Sequence, residues 1–424
     1  MKSPDIYLSH LIAAIDDLLD CQLQAIVDTA AFMELKATWT GLHWLVQQQQ
    51  ECSATKIKVM DVSQIELSLN LQCSDTLSQS LLYQRVYREG LCTLGGEPFG
   101  LLMADYSFEF FNQLPSEQAE LTRKLSELGE LSLCPVVLGM GNLWQRGNPS
   151  LSCCACRLER LGTYTDYDSF RAVREQTSAS FLAVTWPRFT PGNYKVTSAT
   201  ATPVYLHHTR PDWCHSGYAL LALVLREYDE YGWFAGLQAW GEGIKCGAIL
   251  PEQPDKPGSM AEIRLTESVE STFIRLGVMP LASGWLDNTT GFFSMTMTGF
   301  FSEKESRQAL PPLLIVCRFG HYLKVKTRER IGTTLTATEY ASDLQRWLDQ
   351  FCCSSDIRDM SLLAVSPLKW AKLSVQEGSA TPGEFLATLE LLPHLPPGLT
   401  VDALRIHLQL SSESNDFLPD HTLR

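Results

Sequence analysis

The chain has 424 residues, long enough for a sizeable core and two or three domains. Its 34 Lys and Arg stand against 48 Asp and Glu, a net charge of −14, which argues against a general nucleic-acid footprint because that needs a basic face. Thirteen cysteines are many and odd in number, and without an export signal they read as reduced, mostly buried thiols.

Leu8, Leu11, Ile12, Ile15, Leu19 and Ile26 recur near helical spacing, and Asp16, Asp17 and Asp20 interrupt the apolar run. Acidic residues there do not suit a secretory signal. The segment reads as an amphipathic helix, its stripe buried against the domain or a partner. Nowhere do eighteen uninterrupted apolar residues occur, so no membrane span is expected and the chain is placed in the cytoplasm.

Residues 56–63 read as a strand and 77–88 as a helix with Leu81, Leu82, Val86 and Tyr87 on its apolar side. Residues 100–104 and 134–138 are short apolar runs of the kind buried on both faces of a parallel sheet, with a helix over 117–128 between them. This alternation predicts an α/β fold: a mostly parallel body in two halves, with right-handed crossovers. Residues 143–166 and 190–211 read as loops. Beyond them come a helix over 218–228 and a strand over 233–240. A strand over 263–265, a helix over 268–276, and strands over 278–282 and 292–298 follow. A long helix lies within 303–329, where Pro311 and Pro312 kink or delay it. A further helix covers 339–351. Residues 362–375, 383–392 and 399–410 then give three strands in succession, a small C-terminal antiparallel unit. The division that follows is 1–145 for the N-terminal helix and first α/β unit, 146–355 for the second with its long loops, and 356–424 for the β segment and tail.

The search for chemistry finds little. No GxxxxGK[ST], GxSxG or HExxH occurs, and the GxG of Gly139 and Gly141 lacks its third glycine and helix. Glu97 and Asp105 are a conceivable carboxylate pair, but Gly95-Gly96-Glu97-Pro98 reads better as a turn and Asp105 as the cap of a strand. Cys153, Cys154 and Cys156 have no second pair at a zinc-ribbon distance. His207, His208, Cys214 and His215 match no spacing with a geometric reason, so packing and a polar loop are the plainer readings. No metal or cofactor is expected. In the later helix Phe319, Tyr322, Leu323 and Val325 form the apolar set, while Arg318, His321, Lys324, Lys326, Arg328 and Arg330 lie mostly elsewhere. That basic run is either a solvated face or a contact surface for an acidic neighbour, which a chain of net charge −14 packing on its own copies would need.

Several segments in one order resemble the large subunit of the type VI secretion contractile sheath, the TssC/VipB/EvpB family. FMELKATWTGLHWLV carries Phe32, Leu35, Trp39, Gly41, Leu42 and Leu45; RVYREGLCTLGGEPFGLLMADYSF carries Tyr87, Gly95, Gly96, Glu97, Pro98, Gly100 and Asp105. LAVTWPRF, Tyr231-Gly232-Trp233, Leu276-Gly277 with Pro280, and CRFGHYLKVKTRERIG agree in turn, so the resemblance spans roughly residues 8–410.

The resemblance implies a structural subunit and no enzyme. It would polymerise with a small sheath subunit of the TssB/VipA type, and with copies of itself in a helical lattice, around an inner Hcp tube and on a baseplate. Neither nucleic acid nor a nucleotide is implied. Phe32, Trp39 and Gly41 would lie in the helical region near the small subunit, Arg318, His321, Lys324 and Arg328 in the later helix, and Gly95 to Pro98 with Asp105 in the structural core. Typical members begin with a longer segment holding a helix read by the ClpV ATPase. Little precedes Leu8 here, so ClpV is not expected to engage this N-terminus. Residues 186–213 also depart from the family, and 203–216 have no counterpart. The role is then main sheath subunit, or accessory protein at a sheath end or baseplate, or more broadly a non-catalytic binding module. Burial of Trp39 on its helix predicts that Trp39→Ala costs about 3–5 kcal/mol. The Gly95-Gly96 turn predicts a positive φ at Gly96.

Overall fold

A computed structural model describes residues 4–49, 55–74, 76–110, 114–141, 167–192, 211–238, 240–241, 244–245, 250, 260–283, 289–299, 309–329, 337–355, 360–377, 385–394 and 403–410. Its centre is a parallel sheet in the order β1 (Leu102–Phe108), β2 (Val136–Met140), β3 (Leu182–Trp186) and β4 (Val278–Pro280). Leu102 pairs with Val136, Val136 with Leu182, and Val184 with Val278. β2 and β3 are wholly buried, as their unbroken apolar runs require. Alternation divides their side chains between two cores. Val137, Ala183 and Met279 enter one; Val136, Leu138, Leu182, Val184 and Val278 enter the other.

Helices cover both faces. On one lie α3 (Gln64–Gln72), α4 (Ser116–Ser132), α5 (Asp168–Arg174) and α7 (Glu267–Arg275), through Leu67, Leu71, Leu121, Leu125, Phe170 and Phe273. On the other lie α2 (Ala30–Gln48), α6 (Ser216–Tyr231), α8 (Leu310–Glu329) and α9 (Ala337–Asp349). α3 opens on a capping box in which Ser63 and Glu66 satisfy each other's backbone N–H groups. α8 starts at Leu310, and its first turn takes Pro311 and Pro312 where no intrahelical N–H is needed. The prolines delay the helix without kinking its length.

The short helix α10 (Met360–Val365) precedes an antiparallel sheet of β5 (Leu368–Glu377), β6 (Phe385–Pro393) and β7 (Leu404–Leu410), in the order β7-β6-β5. Leu373, Ala387, Leu389, Leu391, Leu404 and Ile406 join the α8 core. Gln345 on α9 fastens the sheet from outside: its Nε2 donates to Ala371 O at 3.0 Å and its Oε1 accepts from Leu373 N at 2.8 Å.

Several expected elements take another form. Residues 56–62 form no strand; Tyr106 holds their end, its hydroxyl donating to Val62 O at 2.6 Å. The expected helix over 77–88 is a 3₁₀ turn (Leu77–Gln79) and one α-turn running into a π-helix (Gln84–Cys92). Arg328 Nη1 takes the carbonyls of Leu91 and Thr93 at its end, and so supports that wider winding from outside. A 3₁₀ turn (Ala235–Gln238) stands within the expected strand 233–240, and residues 263–265 and 292–298 form no ladder. Residues 362–365 belong to α10 instead of a strand. Residues 233–240, 292–298 and 362–365 are short, largely apolar segments, which fit a buried helix or loop as well as a strand until a pairing partner is given.

The glycine turn also differs in detail. Gly95 has the positive φ, +78°, and open space around its missing Cβ. Gly96 has an ordinary φ, but a Cβ there would meet Glu89 O at 2.2 Å and Gly90 O at 2.8 Å. Gly95→Ala should therefore cost about 1–2 kcal/mol, from left-handed strain alone. Gly96→Ala should cost more, because backbone must move. Thermal melts of the two variants check this: the larger fall in Tm is expected at Gly96.

Candidate assembly surface

α1 (Pro4–Val27) and α2 share one property, an apolar stripe that the other described residues do not cover. On α1 the residues that come nearest to burial are Asp16, Asp20, Gln24 and Val27, mostly the polar face. The opposite face, Leu8, Leu11, Ile12, Ile15, Leu18, Leu19, Leu23 and Ile26, stays exposed. This reverses the usual surface helix, which turns its apolar stripe inward.

α2 is apolar on two sides. Its inner side holds Gly41, Trp44 and Leu45, all buried. At Gly41 a Cβ would lie 2.6 Å from the Tyr218 ring, so the ring of α6 packs directly on the backbone of α2. Trp44 meets Phe189 edge-on at 5.1 Å between centroids. Lys36 pairs with Asp212 at 2.9 Å, and the Cys214 thiol donates to Ala37 O at 3.2 Å. The outer side carries Phe32, Leu35, Trp39 and Val46, and Trp39 is 63% exposed. The expected burial of Trp39 within the chain is thus corrected: two apolar stripes share one helix, and the tertiary contacts of Gly41 decide which goes in.

The basic helix α8 corrects the solvated-face reading. His321 is buried and its Nε2 bonds Ser132 O at 2.8 Å. Arg318 lies between the Tyr228 and Tyr322 rings, at 5.4 and 4.9 Å from their centroids. Lys324 is buried over the Tyr87 ring. Lys326 covers Trp347 at 4.9 Å. Aromatic faces and backbone carbonyls therefore absorb these side chains inside the chain, and no carboxylate among the described residues forms an ion pair with them. Sequence spacing did not reveal this, because apart from Tyr322 the aromatic partners come from three other elements.

Glu97 is exposed and pairs with Lys56, while Asp105 sits within β1 and accepts from Tyr218 Oη at 2.8 Å. The two carboxylates hold separate partners and make no pair. Asp105 is mid-strand and not the cap expected of it. Gly95 and Pro98 complete the turn before β1. Cys153, Cys154, Cys156, His207, His208 and Arg330 lie outside the described residues. Of that second cluster, Cys214 is occupied as above and His215 Nδ1 accepts from Gly217 N at 2.7 Å.

The EvpB/VC_A0108 tail sheath N-terminal domain matches residues 9–298, and the tail sheath gpW/gp25-like domain of the same family matches 302–413. The chain belongs to the VipB tail-sheath family. It is a structural subunit of the contractile-sheath type. Over 438 aligned residues it is 27% identical to the type VI secretion system sheath protein TssC1 of Pseudomonas aeruginosa, covering 96% of this chain and 86% of that one. Among solved structures, the contracted sheath complex of an extracellular contractile injection system is 8% identical with a TM-score of 0.39, over 67% of each chain. The sheath tail protein of Listeria innocua is 8% identical with a TM-score of 0.34, over 70% of this chain and 60% of that one. Scores this low carry no detail across. No helix among the described residues is long and apolar enough to cross a membrane.

Burial pushes the His321 imidazole down to about 4, against its hydrogen bond to Ser132. An unfolded histidine titrates near about 6.5, so below that the unfolded chain binds the extra proton. Stability that is complete above about pH 6.5 is lost towards pH 4, on the order of 3 kcal/mol for this group. Glu130 and Glu227, each pushed up to about 7 by burial, act in the opposite sense, their contribution fading as pH rises. His321→Gln keeps a donor for Ser132 and removes the titration. Its melting temperature should fall less than that of the natural chain between pH 7 and pH 4.

Proposed function

We propose that this chain is the main large subunit of a type VI secretion sheath, paired in the bacterial cytoplasm with a small subunit around an Hcp tube. The observation that carries the reading is the outward apolar face of α1 and α2, together with the polar face α1 turns inward. An amphipathic helical surface on the small subunit covers that stripe, in the helix-in-groove manner that reads anchors at i, i+3, i+4 and i+7. Phe32, Leu35 and Trp39 supply the anchors on α2. Head-to-tail contacts that do not close then extend the pairs into a helical lattice.

Contraction is a rigid-body rearrangement between two packings of that lattice. It draws on contact energy and requires no chemistry from this chain. The match of both family domains across nearly the whole length supports the main-subunit reading over an accessory one.

Ile15→Asp with Trp39→Asp places charges where the natural chain exposes apolar side chains. The isolated chain should keep its circular dichroism and its Tm within about 0.5 kcal/mol of stability, as substitutions at exposed sites do. Co-expression with the small subunit, affinity purification and negative-stain microscopy should show no co-purification and no filaments for the double variant. Filaments of normal length from that variant would refute the assignment of this face.

A further inference from the structure

Lys324 is nine-tenths buried where α8 meets the π-helix. Its three N–H donors reach one hydroxyl, Tyr87 Oη at 3.4 Å, and its charge rests 4.8 Å from that ring's centroid. Arg328, one turn further on, gives Nη1 to the Leu91 and Thr93 carbonyls while its buried Nε finds no acceptor. Among the described residues no carboxylate pairs with either cation. Buried donors are seldom left in this state, and two neighbouring cations without an anion call for one.

Strand direction brings one acidic segment to this place. β5 starts beside the C-terminal end of α9, where Leu368 N bonds Phe351 O, and it passes Gln345 at Ala371 and Leu373. It therefore runs back along α9 towards the first turns, where Tyr340 bonds Thr327 of α8. β7 runs parallel to β5 across β6, with Leu404 level with Ala371 and Leu410 level with Glu377. β7 also packs on α8, through Leu404 and Ile406. Its last residue thus lies towards the end of α8 that carries Lys324 and Arg328.

Residues 411–424 follow Leu410, and they hold Glu413, Asp416 and Asp420 against one arginine, Arg424. An extended chain advances about 3.3 Å per residue, so Glu413 can stand roughly 10 Å from Leu410 and Asp416 roughly 20 Å. That is enough to round a helix, whose diameter with side chains is about 10–12 Å. We propose that residues 411–424 cross the end of α8 and place a carboxylate of their own on Lys324 and Arg328. One carboxylate has acceptor positions for both the ammonium and the guanidinium Nε. The segment then clasps the C-terminal sheet to the π-helix that precedes β1.

Residues 378–384 leave the same end of the sheet and bring one carboxylate, Glu384. Glu384 is one residue from Phe385, which is paired on both sides in the ladder, so it cannot travel round α8. Residues 411–424 are tied to the sheet at Leu410 alone, which gives them the reach that Glu384 lacks.

The test treats the full chain with a carbodiimide, which joins a carboxylate to an amine in contact with it, and maps the product of monomer mass by peptide mass spectrometry. Lys324 should be joined to Glu413, Asp416 or Asp420. This product should exceed joins of the same segment to Lys372, exposed on the sheet, by about tenfold, the factor in occupancy that one hydrogen bond between charged groups supplies. Glu413→Gln, Asp416→Asn and Asp420→Asn together should lower the Tm of the natural chain by more than that of Lys324→Met, which keeps the aliphatic stem. Joins to Lys372 without Lys324, a Lys324 join found only at dimer mass or only to Glu384, or an equal fall in Tm in both backgrounds would overturn the proposal. Where Lys324→Met does not fold, the cross-link in the natural chain decides.

Discussion

The seat of α2 on α6 governs what this chain shows to its surroundings. Gly41 brings the Tyr218 ring against the helix backbone, and Trp44 and Leu45 follow it into the core. Tyr218 is in turn held by Asp105 of β1, so the position of α2 is referred to the central sheet through one hydroxyl. Once the Gly41 side is inside, Phe32, Leu35, Trp39 and Val46 must be outside, because they occupy the opposite side of the same helix. The outward stripe is thus a consequence of internal packing.

The central sheet makes that seat rigid. Three of its strands, β2, β3 and β4, are buried on both faces, and a shift of one residue in register would exchange the members of the two cores. Arg174 closes the far edge of this body. It is buried, with Nε on Thr298 O at 2.9 Å and Nη2 on Arg275 O at 3.1 Å, and so ties the end of α5 to the end of α7 and to the segment at Thr298. Gly277, at φ +80°, leaves room for that guanidinium: a Cβ would stand 2.5 Å from its Nε. A subunit that transmits force between neighbours benefits from such cross-ties, since a body that yields locally would absorb the motion.

α8 shows how an acidic chain can hide its cations. Arg318 and Lys326 lie over tyrosine and tryptophan rings, and Lys324 over Tyr87. Ring faces attract a cation without the desolvation of a second charge, which a buried carboxylate would add. The cost falls on Lys324, whose ammonium burial pulls down to about 8. The same arrangement binds the π-helix to α8, linking the residues before β1 to the segment that carries the C-terminal sheet.

The sequence by itself determined the α/β class, the parallel sheet with helices on both sides, and the antiparallel unit at the end. Short, largely apolar runs such as CPVVL and FLAVTW, alternating with helical segments, point to the interior of a sheet covered on both faces. It also determined the family, through motifs read in order. Tertiary structure decided the faces. Trp39 and Trp44 both sit on an apolar helix, and only the approach of Tyr218 to Gly41 separates the outer from the inner one. Likewise Lys324 and Arg328 read as surface charge until aromatic rings and carbonyls from elements more than two hundred residues away arrive beside them. Periodicity reports that a helix has a stripe, but what covers the stripe is set by contacts distant in sequence.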